Sequence, residues 1–478
     1  MFKKDKFNVY YNMKYIIVGG GPTGLSLAYG LVKNNYQVVL LERDSILGGS
    51  WNSRWVDGNF SENSPRVLST NGSHMDLLYE IGLTNEDFDI VYGNIYETNH
   101  KVFNFVRKYF EFMDYVIFLS AMIKYRYTNK YIKKNNSLQD WFNDSKLSDS
   151  AKKGIRILSI IICDTPQNTN ATDFFASIES VKLVQMKDSN KWHNLLESYF
   201  DSLANMTIIK NTTVLNINDD ATAIQCKNRD GTILNLEGDR IVLCTQSDGI
   251  YPILQNSSFT IKNNWNSEKW IKEWSTNTYY SCFGFQLHFN EIEQFPDTWC
   301  WSCQSDWCII ILPVSNWLSL NSVDDTIKTV WSCCIVDMET KSKRLNKTPN
   351  ECTKEEITDE CIYQLKQLHH FSQSFKTTIS PGIYKKNGKW ISSKTGFTRK
   401  KLGYLPISGN LSNLFALGCF TKVNYSTSYM KTAVDASAFF LKNKHGIELL
   451  TKKTNSEKKT ILLTIIVIIS IILIICIK

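Results

Sequence analysis

The sequence predicts an α/β fold, and three observations carry the prediction. The apolar run Lys14-Tyr15-Ile16-Ile17-Val18 leads into Gly19-Gly20-Gly21-Pro22-Thr23-Gly24, the spacing G-x-G-x-x-G. A second apolar run, Gln37-Val38-Val39-Leu40-Leu41, ends on Glu42. From Thr207 the hydrophobic period changes from helical to two, and the buried run Arg240-Ile241-Val242-Leu243-Cys244-Thr245 closes that stretch. Together they describe a Rossmann-like dinucleotide-binding domain made of separated segments, with a mixed α+β domain interleaved between them.

Each part of the first unit has its own reason. Gly19 permits a sharp turn, Gly21 lets a phosphate reach bare backbone, and Gly24 lets the following helix pack closely on the sheet. That helix, expected over residues 23–34 with Pro22 and Thr23 at its start, aims its N-terminal amides and positive dipole end at a pyrophosphate. Glu42 follows Gly24 by eighteen residues, where a carboxylate accepts hydrogen bonds from an adenosine ribose.

The segment Glu42-Arg43-Asp44-Ser45-Ile46-Leu47-Gly48-Gly49-Ser50-Trp51 distinguishes between dinucleotides. It resembles the FAD-dependent oxidoreductase superfamily of flavin amine oxidases, protoporphyrinogen oxidase and phytoene desaturase, in which a Gly-Gly pair follows the ribose-binding acid. The resemblance implies FAD, bound non-covalently, with Gly48 and Gly49 near the ribityl chain and Arg43, Ser50 and Trp51 beside them. Ser50 stands where that family usually carries Arg. In the strand region after Thr207, the residue matching Val214 meets the adenine through its backbone in that family, and Thr245 ends the strand that returns to the sheet.

Near the C-terminus, Asn413 to Thr421 and Thr427 to Ser437 resemble the closing segment of flavin amine oxidases. The resemblance implies that Gly418 and Cys419 lie at the flavin and that the Met430 amide supports negative charge at the flavin N1/O2 edge. It also places Tyr429 in one wall of an aromatic substrate cage. Cys419 replaces the acid common at that point, and covalent attachment of the flavin through it has no positional support. A shorter likeness, Glu62-Asn63-Ser64-Pro65-Arg66 with Ile81-Gly82-Leu83 downstream, is to protoporphyrinogen oxidases. There Arg66 would grip a substrate carboxylate, with a structural Arg as the alternative.

The chain has 478 residues, 43% of them apolar, enough for a large core. Of its net charge of +8, the segment 442–478 supplies +5 through seven Lys against Glu448 and Glu457, so the rest offers no general case for nucleic-acid binding. Thirteen Cys, an odd number, exclude a wholly disulfide-bonded framework. Cys300-Trp301-Ser302-Cys303 has C-x-x-C spacing but lies in strand-like sequence, and His369-His370 on an expected helix point to different faces, so no metal site is indicated. Ile461 to Ile477 is a 17-residue uncharged run preceded by Lys452, Lys453, Lys458 and Lys459. It reads as a C-terminal transmembrane tail anchor in a lipid bilayer, with the body facing the cytosol.

The expected order is FAD-binding segments at 14–65, 201–250 and 386–445, a mainly helical substrate segment at 66–200 and a mixed one at 251–385. A basic polar linker at 446–460 precedes the anchor at 461–477. Within Phe110 to Tyr127 the apolar run Tyr115 to Ile123 is nine residues bounded by Asp114 and Lys124, too short to span a membrane, and the segment reads as a buried or channel-lining helix, with an interfacial membrane contact as the alternative. The resemblance implies an oxidoreductase that takes a hydride equivalent from a small organic substrate, an amine or a flat apolar molecule, and passes electrons to oxygen or another acceptor. The alternatives are a protoporphyrinogen-oxidase-like or phytoene-desaturase-like dehydrogenase, a flavin monooxygenase, or a catalytically degenerate, membrane-tethered flavoprotein. The monooxygenase is disfavoured because no second convincing G-x-G-x-x-G offers a site for NADPH.

Overall fold

The structure is a computed structural model that describes residues 13–450 apart from 57–58, 63–66, 71, 92–94, 98–99, 102–108, 128–136, 163–164, 168, 178–182, 266–282, 294–299, 303–304, 317–325, 336, 374, 381, 393–404 and 422–429. Arg66 and Tyr429 therefore lie outside the described residues, as does the run 461–477.

A five-stranded parallel sheet collects the distant segments. Strand β1 (Lys14–Val18) pairs with β2 (Gln37–Leu41) on one side and with the strand Arg240–Leu243 on the other. Met206–Ile209 extends the sheet beyond β2, and Leu414–Ala416 extends it beyond Arg240–Leu243. These strands are near-continuous apolar runs because both faces are covered, the usual state of a parallel sheet. On one face lie helix α1 (Pro22–Val32) and the helix Met430–His445. On the other lies the antiparallel meander Thr212–Ile217, Ala223–Asn228, Ile233–Glu237. The two helices approach closely at Gly30, where a Cβ would lie 2.3 Å from Leu441 Cδ1. They are also joined by Ser26 Oγ donating to Ser437 Oγ at 2.9 Å and Ser437 Oγ donating to the Thr23 carbonyl at 2.8 Å.

A second, seven-stranded sheet is mixed. Its central strand Phe283–Phe289 pairs antiparallel with Thr329–Ile335 and Phe375–Ile379. Phe283, Phe285, Leu287 and Phe289 point to one face and pack on Ile357, Cys361 and Leu365 of the helix Lys354–Leu368. Gln286 and His288 occupy the alternate positions, as strand geometry requires, and both are fully buried. Among the described residues neither ring nitrogen of His288 meets a hydrogen-bond partner.

The segment 66–200, expected to be mainly helical, contributes strands as well. Val67–Ser69 and Phe88–Val91 flank Leu183–Met186 in a three-stranded sheet, and Ile95–Glu97 and His100–Lys101 join the seven-stranded one. Short apolar runs of this kind do not reveal their state by period alone. The helix Phe112–Tyr127 is half-embedded: Ala121 and Tyr125 belong to a cluster with Phe174 and Phe175, whereas Phe112, Met113, Val116 and Ile123 are exposed. The His369-His370 pair falls beyond its helix, which ends at Leu368 with His369 as its C-cap in extended backbone.

The expected transmembrane helix requires correction. Among the described residues no helix is long and apolar enough to cross a membrane. The two longest, Phe112–Tyr127 and Met430–His445, have 16 residues each, below the roughly 20 a bilayer needs, and the latter ends in Lys442, Lys444 and His445. The fold class is α/β, with no spanning helix among the described residues, and the tail-anchored placement with a cytosolic body loses its support.

Candidate functional site

The carboxyl ends of the parallel strands bring the candidate cofactor residues to one edge. Gly19 follows β1, Glu42 follows β2, Thr245 follows Arg240–Leu243, and Gly418 follows Leu414–Ala416. Parallel sheets of this type bind ligands at that edge. The alignment is held by backbone bonds that continue the ladder past the strands. Gly19 N–H donates to the Leu41 carbonyl at 2.8 Å, Cys244 N–H to Val18 at 2.8 Å, and Leu417 N–H to Leu243 at 2.9 Å.

The glycines of the first turn have different reasons to be glycine. Gly19 has φ +113°, and a Cβ there would lie 3.0 Å from the Cys244 carbonyl. A Cβ at Gly24 would lie 1.9 Å from the Gly19 carbonyl oxygen, so α1 can pack on the turn only without a side chain. Gly21 needs neither freedom nor room for the protein's sake: its φ is −81°, and the nearest atom to a Cβ would be Gly49 Cα at 3.9 Å. The space over Gly21 is therefore open, bounded by Gly49, and faced by the start of α1. Pro22 at the first helical position has no N–H to lose, and helix geometry leaves the Thr23 and Gly24 amides without intrahelical acceptors.

Glu42 is almost wholly buried and does more than its spacing implied. Its Oε2 accepts from the Gly20 N–H at 2.7 Å and its Oε1 from the Asp44 N–H at 2.9 Å, so the carboxylate ties the end of β2 to the glycine turn. A carboxylate has about four acceptor positions, so a ribose hydroxyl can still be accommodated. Arg43 is exposed, with Nε 3.8 Å from Asp44 Oδ1.

The second glycine pair docks on the first turn. Gly48 N–H donates to the Gly20 carbonyl at 2.8 Å. Gly48 and Gly49 have φ of +97° and +59°, and a Cβ at Gly49 would lie 3.0 Å from Gly21 Cα. Gly49–Trp51 forms a 3₁₀ turn in which Ser50 is half-buried and Trp51 is buried.

The remaining candidates lie as follows. Val214 is buried with Val18, Val39 and Leu41, paired with Cys226 just before a bulge. The Thr245 methyl lies 3.1 Å from where a Gly19 Cβ would be. Thr421 Oγ1 donates to the Gly418 carbonyl at 2.7 Å, closing the turn that carries half-exposed Cys419. Met430 is fully buried at the start of the last helix.

Two groups of residues carried no warning in the sequence. At Gly72–His74 the Ser73 hydroxyl donates to Asp435, which Lys431 Nζ also meets at 3.2 Å. His74 is buried, its Nε2 at 2.9 Å from the Ser69 carbonyl, and burial, aided by the Lys431 charge, pushes its pKa down to about 4. The other group, Ser189 to His193, lies against the second glycine pair. Both depend on contacts between residues far apart in the chain, to which local period and spacing are blind.

Comparison with known proteins agrees with this geometry. The family of NAD(P)-binding Rossmann-like domains matches residues 17–81. Among solved structures, an oxidoreductase from Methanosarcina mazei superposes with a TM-score of 0.62 at 14% identity, covering 90% of this chain and 100% of the other. A putrescine oxidase bound to putrescine gives 0.64 at 12% identity, covering 91% and 99%. A protein described as a protoporphyrinogen oxidase from Exiguobacterium gives 0.57 at 13%, covering 90% and 98%. At these identities the likeness is one of fold. What the chain shares with these proteins is the fold, and residues 17–81 carry the NAD(P)-binding Rossmann-like pattern.

Proposed function

We propose that this protein is an FAD-dependent oxidoreductase of the amine oxidase and protoporphyrinogen oxidase type, acting on a small organic amine or a flat apolar molecule. The observation that supports the cofactor best is the open space over Gly21, between two glycine turns and at the amino end of an 11-residue helix. That cradle suits a pyrophosphate, since backbone amides and a helix dipole favour an anion there.

Bound FAD would supply the hydride-accepting ring and its electron transfer. The protein's own residues supply position. Gly19, Gly21, Gly24, Gly48 and Gly49 give backbone access, Glu42 holds the turn and is the ribose acceptor, and Val214 and Thr245 line the adenosine side. Gly418, Cys419 and the helix beginning at Met430 belong to the flavin end in this reading. Oxygen or another molecule would take the electrons.

The test is a visible absorption spectrum of the purified full chain, before and after denaturation. Flavin bands that are released into the supernatant support non-covalent FAD. Absence of flavin, together with no binding of added FAD, would remove the reading. Anaerobic addition of amines such as putrescine should then bleach the flavin bands. A second reading, a flavoprotein that binds without turning over, is favoured by Ser50 and Cys419, which depart from the family's Arg and acid. Bound flavin that no amine bleaches, while dithionite does, would favour it.

A further inference from the structure

The turn Ser189–His193 touches the second glycine pair in a way the cofactor reading does not use. Asn190 Oδ1 accepts from the Ser53 N–H at 2.9 Å and from His193 Nε2 at 3.1 Å, while Asn190 Nδ2 donates to the Ser53 carbonyl at 3.3 Å. The Ser53 and Ser189 hydroxyls share a hydrogen bond at 2.9 Å. Trp192 Nε1 donates to the Trp51 carbonyl at 3.1 Å. The His193 ring covers Gly48, its Cδ2 2.6 Å from where a Cβ would stand. Asn52, Ser53, Ser189, Trp192 and His193 are all buried.

The loop under this turn is one that needs holding. Two successive residues, Gly48 and Gly49, sit at positive φ, a conformation that glycine leaves easily. Within the loop's own neighbourhood, Gly48 N–H to Gly20 and Asn52 Nδ2 to the Leu47 carbonyl at 2.8 Å fix its first half. Its second half, Trp51 to Ser53, is fixed by residues distant in the chain. Asn190 and Ser53 are separated by 137 residues. Ser189 and Asn190 form the turn proper, between the strand Leu183–Met186 and the helix Lys191–Asp201, whose first turn carries Trp192 and His193.

We infer that Asn190 and Trp192 are positioning residues for the cofactor: they latch the Gly48–Ser53 loop into its binding shape and so tie cofactor retention to the helical segment of the substrate domain. This rests on the FAD reading above, and the latch touches the loop rather than the cofactor. Ordering a loop in advance removes the cost of ordering it on binding. Without the latch the loop would be ordered only by the ligand, and affinity would fall although every contacting residue is intact. Binding is reciprocal, so FAD should in turn stiffen the Ser189–His193 turn.

The experiment compares FAD affinity in the full-length protein, after reversible removal of flavin, for wild type, Asn190→Ala, Asn190→Asp and Trp192→Phe. Asn190→Ala should raise the FAD Kd about tenfold to a hundredfold, and Trp192→Phe, which keeps an aromatic ring of smaller size and loses the indole N–H, about threefold to tenfold. Asn190→Asp keeps the acceptor that Ser53 and His193 use and should recover most of the affinity. The melting temperature of each flavin-free protein separates positioning from folding. A residue of purely structural importance would lower that temperature and leave the Kd of the folded fraction unchanged. An unchanged Kd in both Asn190→Ala and Trp192→Phe overturns the latch. Failure of wild type to bind FAD overturns the cofactor reading instead, so the two failures are distinguishable.

Discussion

The five-stranded parallel sheet gathers the candidate binding residues at its strand ends, whereas the seven-stranded mixed sheet is defined by its two faces. In the first, glycines and backbone bonds make the working edge, and few side chains are needed: Gly19, Gly24, Gly48 and the carboxylate of Glu42 account for most of its shape. In the second, one face is a close-packed set of Phe and Trp residues, and the other buries Gln286 and His288. The contrast separates residues that a ligand requires from residues that packing requires, and substitutions can push on each.

The largest expected effect is at Gly24, where the side chain is excluded by the protein itself. Ala within a helix ordinarily gains over Gly by about 1 kcal/mol. Gly24→Ala should instead cost more than about 3 kcal/mol, because backbone must move to relieve a contact at 1.9 Å from the Gly19 oxygen. Denaturant melts of the flavin-free protein would show it, and a neutral result would contradict the packing described here.

Gly21→Ala tests the opposite case three positions before Gly24. Room exists for its Cβ, so the flavin-free protein should melt within about 0.5 kcal/mol of wild type. FAD binding should nevertheless weaken by at least about a hundredfold, since the methyl takes up the space assigned to the pyrophosphate. Retained flavin would move the cofactor elsewhere.

Glu42→Gln should weaken binding less than Gly21→Ala. The amide keeps one acceptor oxygen for the Gly20 or Asp44 N–H and loses the charge that strengthens both bonds. A tenfold to hundredfold rise in the FAD Kd follows, at about 1.5–3 kcal/mol for a charge-assisted hydrogen bond. Isothermal titration of apoprotein would read it directly.

The smallest expected effect belongs to the other sheet, and its sign is reversed. Burial, reinforced by the Lys376 charge, pushes the His288 pKa down to about 4. The unfolded chain takes up a proton near pH 6.5 and the folded one does not until about 4, so this histidine's contribution is full above 6.5 and is lost as pH falls toward 4. His288→Leu should flatten that part of the stability–pH curve. At neutral pH it should stabilise the protein by about 1 kcal/mol, because two buried nitrogens without partners are removed. A destabilised variant with an unchanged pH slope would show that the ring is satisfied in solution.

The same contrast explains what could be read from sequence. The turn from Gly19 to Gly24, β2 with Glu42, and the change to period two at Thr207 are local patterns, and the structure has its strands there: the first of the latter group is Met206–Ile209. The strand Arg240–Leu243 was expected to return to the main sheet, and it pairs with β1. The partners of Glu42 at Gly20 and Asp44 were not legible, because spacing shows where a carboxylate falls and not which amides turn toward it. Nor was the Asn190–Ser53 contact, since a polar stretch before a helix reads as an ordinary cap. The strands at 67–69, 88–91 and 183–186 were missed for a related reason: each is too short to display a period, and their state is decided by pairing across the chain.

The close approach of α1 and the last helix at Gly30 also sets an order of events during synthesis. A nascent chain makes β1, α1 and β2 first, but the strand that flanks β1 on its other side, Arg240–Leu243, emerges much later. Leu441 and Leu449, which cover the bare surface at Gly30, come later still. At translation rates of about 5–20 residues per second, α1 waits on the order of tens of seconds for its cover. Through that interval the ribosome-bound chain exposes Gly30 and its apolar neighbours, an opening for chaperones and a hazard for any transcript that stops short of the closing helix.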